Sequence, residues 1–177
     1  GKSDDYVKVA WSVGEMLAGQ GIDVVYGGGK VGLMGAVADG ALAAGGHVIG
    51  VIPRGLFERE VGHTGVTELR VVESMHERKA LIAELAEGFM ALPGGYGTLD
   101  ELCEMITWAQ LGRHKKPILI ANIDGFWDPL CALLDRMREM LFIRPGFQVD
   151  VLVADRVEDI LPKLAEAARK VSEAEME

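Results

Sequence analysis

Short apolar, β-branched runs alternate along this chain with longer stretches in which apolar residues recur at helical spacing. The pattern predicts strands at 23–26, 47–52, 68–72, 88–92, 117–121 and 149–153, and helices at 5–19, 33–44, 75–86, 99–110, 127–140 and 157–170. Such alternation implies right-handed β-α-β crossovers and therefore an α/β fold, a doubly wound parallel sheet with helices on both faces. Sheets of this kind bind ligands beyond the C-terminal ends of their strands, and both glycine-rich segments of the chain fall at such ends. No repeat or linker interrupts the pattern, so residues 1–177 are expected to form a single domain with one core. The charged stretch 172–177 is expected to fray. A doubly wound fold usually opens on a strand, whereas this pattern opens on a helix; the first strand is expected to be missing from the sequence.

Composition removes several classes of function. A formal charge of −9 leaves no basic stripe for a phosphate backbone, so nucleic acid is not an expected partner. No apolar run reaches membrane-span length, and no signal peptide is visible, which together point to a cytoplasmic protein. Cys103 and Cys131 lie in apolar helical patterns without C-x-x-C spacing and are expected to be reduced core residues. His47, His63, His76 and His114 show no metal-site spacing, and His76-Glu77-Arg78-Lys79 lacks the second histidine of H-E-x-x-H. His63 lies in the loop 53–64 with Glu60, where it could line a pocket mouth.

The first glycine-rich segment, Tyr26-Gly27-Gly28-Gly29-Lys30-Val31-Gly32, follows one strand and opens a helix. Gly27-x-Gly29-x-x-Gly32 matches the dinucleotide fingerprint, but the acidic residue expected on the next strand is absent, and that strand ends in Pro53-Arg54. Val31 after Lys30 excludes a Walker A loop. Two readings stand: a tight strand-to-helix turn, or contact with a phosphate or ribose without NAD. The second is favoured.

Pro93-Gly94-Gly95-Tyr96-Gly97-Thr98-Leu99-Asp100-Glu101 joins a buried strand to an amphipathic helix. Its glycines free the chain to turn and bare N–H groups at a helix start, a geometry suited to phosphate. Glu101 then brings a carboxylate to an anion-binding corner. It is either the partner of Thr98 in a capping box or a group that does chemistry. The stripe Leu99, Leu102, Cys103, Ile106 and Ala109 is expected to face the core, and Met105 with Trp108 forms a second apolar flank that suggests a subunit contact.

Ser74-Met75-His76-Glu77 reads as a capping box, with Ser74 the N-cap, and Arg78 and Lys79 follow at once. Cations at a helix N-terminus are disfavoured by roughly 0.3–1 kcal/mol each. Arg78 also shares its face with Leu81, Ile82 and Leu85, so it needs a partner, either a structural carboxylate or an anionic ligand.

Together these motifs resemble the LONELY GUY (LOG) family of cytokinin riboside 5′-monophosphate phosphoribohydrolases, long misnamed lysine decarboxylases. Pro93 to Glu101 matches the family's P-G-G-x-G-T-x-x-E, and Met75 to Lys79 its M-x-x-R-K. Gly27-Gly28-Gly29-x-x-Gly32-Leu33-Met34-Gly35 and Glu60-x-x-His63 also fit, and the likeness spans about residues 6–153. The resemblance implies a Rossmann-like homodimer that cleaves the N-glycosidic bond of N6-substituted adenosine monophosphates, and often of AMP. It maps catalytic roles onto Arg78 and Glu101. Substrate-contacting roles fall on Glu60, Lys79, Gly94, Gly95, Tyr96, Gly97, Thr98, Leu99, Asp100 and Thr107. No cofactor and no metal are implied. A carrier that binds a nucleotide or pterin cofactor without hydrolysing it is the alternative. PLP-dependent decarboxylation finds no lysine in a recognisable Schiff-base context.

Overall fold

The computed structural model describes residues 2–59 and 62–177. The chain divides into two compact units, Gly1–Ala86 and Glu87–Glu177. Each carries a three-stranded parallel sheet flanked by helices.

In the first unit the elements run α1 (Lys2–Gly19), β1 (Val24–Tyr26), α2 (Gly32–Ala43), β2 (Val48–Pro53), α3 (Arg54–Arg59), β3 (Glu68–Val72) and α4 (Met75–Leu85). The strand order is β1-β2-β3, with Val24 opposite Val48 and Ile49 opposite Glu68. β2 lies between two neighbours and is buried almost throughout, which is why its sequence is a continuous apolar run rather than an alternating one. Val48, Val51 and Ile52 form the centre of this core with Val13 of α1 and Ala38 and Ala41 of α2. α1 and α2 meet backbone to backbone: a Cβ at Gly14 would collide with the Val37 carbonyl, and one at Gly40 with the Trp11 carbonyl. The short α3 lies in the 53–64 loop. At six residues it is too brief to show a helical period in the sequence.

In the second unit β4 (Phe89–Ala91), α5 (Tyr96–Gln110), β5 (Ile118–Ala121), a 3-10 turn (Ile123–Gly125), α6 (Asp128–Glu139), β6 (Val151–Ala154) and α7 (Val157–Met176) follow in order. The sheet order is β4-β5-β6, with Phe89 opposite Ile118 and Ile118 opposite Val151. Every residue of β5 is buried, and fully buried Ile160 anchors α7. The segment 172–177, expected to fray, instead continues α7 as far as Met176. Alanine and glutamate favour helix there, and the i,i+4 pairs Arg169–Glu173 at 2.6 Å and Lys170–Glu166 at 3.3 Å support it.

The cysteines are not core residues. Cys103 is exposed and Cys131 half-buried, and both are free thiols. The buried face of α5 consists of Leu102 and Met105, which turns Cys103 away from the core and leaves Leu99, Ile106 and Ala109 at its half-buried margin. Met105, read from the sequence as an outer flank, is core. No residue of α6 is buried, so Cys131 has no core to enter.

Candidate active site

Ser74 caps α4 as its sequence requires: its hydroxyl accepts the Glu77 N–H at 3.1 Å. The Glu77 carboxylate reaches back to the Glu73 N–H at 2.8 Å, one residue earlier than the standard box. One turn in, Arg78 is the sole buried residue of α4, only 5% exposed. Its Nε donates to the Val51 carbonyl at 3.0 Å and its Nη2 to the Gly27 carbonyl at 2.5 Å. Nη1 faces the Met75 sulfur at 3.8 Å. Among the described residues no carboxylate pairs with this guanidinium. Two carbonyl dipoles hold its geometry, while its unit charge is left for something else to balance.

The glycine loop after β1 is built around this contact. A Cβ at Gly27 would lie 2.2 Å from Arg78 Nη2, so any larger residue there must displace the guanidinium. Gly28 has φ +78°, in the left-handed region, and its carbonyl accepts the His63 N–H at 2.9 Å. The Gly29 carbonyl accepts the Tyr26 hydroxyl at 2.8 Å, and Gly29 forms an antiparallel bridge with Gly62. Three successive carbonyls are thus each occupied by a donor. Burial, reinforced by the Asp39 charge, raises the Tyr26 hydroxyl well above the ordinary tyrosine range.

His63 is 7% exposed, and its Nε2 lies 2.6 Å from Asp39 Oδ1. Its Nδ1 accepts the Gly65 N–H at 3.1 Å. An amide hydrogen on Nδ1 leaves the ring proton on Nε2, so His63 donates to the carboxylate. Of the two readings the sequence allows for His63, a solvated or structural residue by default or one that lines a pocket mouth, its burial and bonds fit the structural one: it is an interior strut. Asp39 and Tyr26 were overlooked as its companions. One signal was available, since Asp39 is the one charged residue of α2.

In the second unit α5 begins at Tyr96 with Gly95 as its N-cap and no side-chain cap. Thr98 is therefore inside the first turn, and the Thr98–Glu101 capping box, one of the two readings the spacing allowed, does not cap this helix. The orphan amides of the helix start come from Gly95, Tyr96, Gly97 and Thr98, which suits an anion. A side chain at Gly94 would force Thr98 to shift, because a Cβ there would lie 2.2 Å from Thr98 Oγ1. Glu101 is half-buried and lies on the face of α5 that carries Thr98 one turn before and buried Met105 one turn after. Leu99 is half-buried, Gly95, Gly97 and Asp100 are exposed, and the Tyr96 ring is 94% exposed. Lys79 is half-buried and Thr107 exposed. Glu60 lies outside the described residues.

Three comparisons bear on this arrangement. A family model described as "possible lysine decarboxylase" matches residues 34–164. The cytokinin riboside 5′-monophosphate phosphoribohydrolase LOG of Oryza sativa subsp. japonica is 48% identical over 166 residues, 94% of this chain and 69% of that one. A cytokinin riboside 5′-monophosphate phosphoribohydrolase of Arabidopsis thaliana is 45% identical over 168 residues, 95% of this chain and 78% of that one. In structure, the molybdenum cofactor carrier protein MCP from Chlamydomonas reinhardtii superposes with a TM-score of 0.67 over 93% of this chain and 88% of that one. At 21% identity that likeness shows a shared Rossmann-type fold. Sequence and fold agree, and the chain belongs to the LOG family, the cytokinin riboside 5′-monophosphate phosphoribohydrolases that the family model still describes as possible lysine decarboxylases.

Proposed function

We propose that this protein hydrolyses the N-glycosidic bond of N6-substituted adenosine 5′-monophosphates, and of AMP, to the free base and ribose 5-phosphate. The observation that carries the reading is Arg78: a buried guanidinium held by two carbonyls with no carboxylate partner among the described residues. Such a charge calls for an anionic ligand, and nearly half of the chain is identical to an enzyme named for a nucleotide substrate.

Breaking the bond builds oxocarbenium character on the ribose while negative charge grows on the departing base. Glu101 stabilises the cation and orients or deprotonates the attacking water. Arg78 anchors the nucleotide and offsets developing negative charge. The amides from Gly94 to Thr98 seat the phosphate, with Glu60, Lys79, Leu99, Asp100 and Thr107 as further substrate contacts. No metal or redox cofactor enters this scheme. The working form is a homodimer in the cytoplasm. Among the described residues no helix is long and apolar enough to cross a membrane.

Release of base from AMP and from isopentenyladenosine monophosphate, assayed side by side, tests the reading. The wild-type protein releases base and ribose 5-phosphate. Glu101→Gln folds and loses roughly 100-fold or more of the rate. Bound nucleotide without product would make the protein a carrier, and a Gln variant as fast as wild type would remove Glu101 from the chemistry.

A further inference from the structure

We propose that His63, braced by Asp39, is a positioning residue that holds the glycine loop in the shape Arg78 requires. The inference rests on the function proposed above only for its kinetic readout; the geometry lies entirely within the first unit. Arg78 Nη2 is aimed by the Gly27 carbonyl. The next carbonyl, that of Gly28, is held by the His63 N–H at 2.9 Å, and Gly29 is bridged to Gly62. The segment carrying Gly62 and His63 thus fixes the two residues that follow Gly27.

That segment is itself fixed by the imidazole. Nε2 donates to Asp39 at 2.6 Å, tying the segment to α2, and Nδ1 accepts the Gly65 N–H at 3.1 Å, closing the turn behind it. Asp39 sits between fully buried Ala38 and Gly40, whose neighbour is the α1 backbone, so the acceptor has little room to move. Both ring nitrogens are committed to these bonds. His63 therefore has no nitrogen with which to exchange a proton with substrate, and its contribution is geometric. A displacement of about 1 Å at a catalytic group can cost on the order of 100-fold in rate, which is the scale at stake.

The test uses His63→Ala, His63→Gln and Asp39→Ala in the full chain, each checked for folding by circular dichroism. Two quantities are read: kinetics of base release, and the Arg78 Nε–H cross-peak in a proton–nitrogen correlation spectrum, assigned by its loss in Arg78→Lys. Wild-type protein is expected to show a slowly exchanging cross-peak, because Nε–H is buried against the Val51 carbonyl. His63→Ala is expected to lose or shift that peak and to lower kcat/KM on the order of 100-fold, mainly through kcat. His63→Gln keeps a donor for Asp39 and recovers most of both. Should His63→Ala not fold, Asp39→Ala carries the test, since Asp39 is half-exposed. An unchanged cross-peak, or wild-type kcat in the folded variants, overturns the positioning role. Wild-type protein that releases no base overturns the function proposed above, and the cross-peak then decides the positioning role alone.

Discussion

Arg78 and Gly27 stand 51 residues apart in sequence, yet the guanidinium of one and the carbonyl of the other meet at 2.5 Å. The contact needs a residue without a Cβ on one side and a planar, multi-donor cation on the other. The contact converts a loop that resembles a dinucleotide fingerprint into a seat for a side chain.

Gly27→Ala is expected to separate the two. The new methyl would lie 2.2 Å from Nη2, so the guanidinium must move off the Gly27 carbonyl. The cost in stability is about 1–3 kcal/mol, as for other overpacked sites. The loss in kcat/KM for AMP is on the order of 100-fold. Denaturant unfolding and steady-state kinetics check the two figures separately.

In the second unit, Gly94→Ala is expected to act on binding. Turning the Thr98 hydroxyl aside does not relieve the clash, because Thr98 Cβ would itself lie 2.8 Å from the added carbon. The first turn of α5 must shift, and its orphan amides shift with it. KM for AMP should rise several-fold with a smaller change in kcat. An unaltered KM would show that the phosphate is held elsewhere.

Tyr26 supplies a prediction in pH. Its hydroxyl donates to Gly29 at 2.8 Å and is raised by burial and by Asp39. The folded state therefore keeps a proton that the unfolded chain releases at about pH 10. The stability from the neutral phenol is fully present below that pH and is lost as pH climbs toward the folded value. Denaturation midpoints at about pH 8 and about pH 11 should differ more for wild type than for Tyr26→Phe. Tyrosinate absorbance should show one of the three tyrosines resisting ionisation until the fold gives way.

Cys103 is exposed, which would ordinarily make it reactive, but its thiol is raised by local burial and then by Asp100. A raised thiol carries less thiolate at neutral pH, and thiolate is the nucleophile. Iodoacetamide should label Cys103 more slowly than free cysteine at neutral pH. Asp100→Asn should speed the reaction.

Among the described residues, periodicity in the sequence located all six strands and six of the seven α-helices, because burial on a sheet leaves a repeating mark. α3 left none, being too short to repeat. The start of α5 was misplaced by three residues for a different reason: Gly95 caps it with no side chain, while Thr98 offers the spacing of a cap that does not form. The capped start of α4 was legible in full, since Ser74 and Glu77 announce it. At the site, the sequence identified Arg78 as a cation needing a partner. That the partners are carbonyls of Gly27 and Val51 was beyond it, because main-chain acceptors are the same for every residue type. The His63–Asp39 pair escaped for a related reason: the two are 24 positions apart, and nothing local links them.

The abutment of α1 on α2 at Gly14 and Gly40 has a consequence for how much the first unit can drift under mutation. Where two helices are spaced by side chains, substitutions slide one past the other by fractions of a turn. Here the stop is main chain on main chain, which no neighbouring substitution can thin or thicken. Asp39, one residue before that stop, inherits a fixed height above the sheet. A lineage can therefore rework the surface of either helix freely while the anchor for His63 stays where it is.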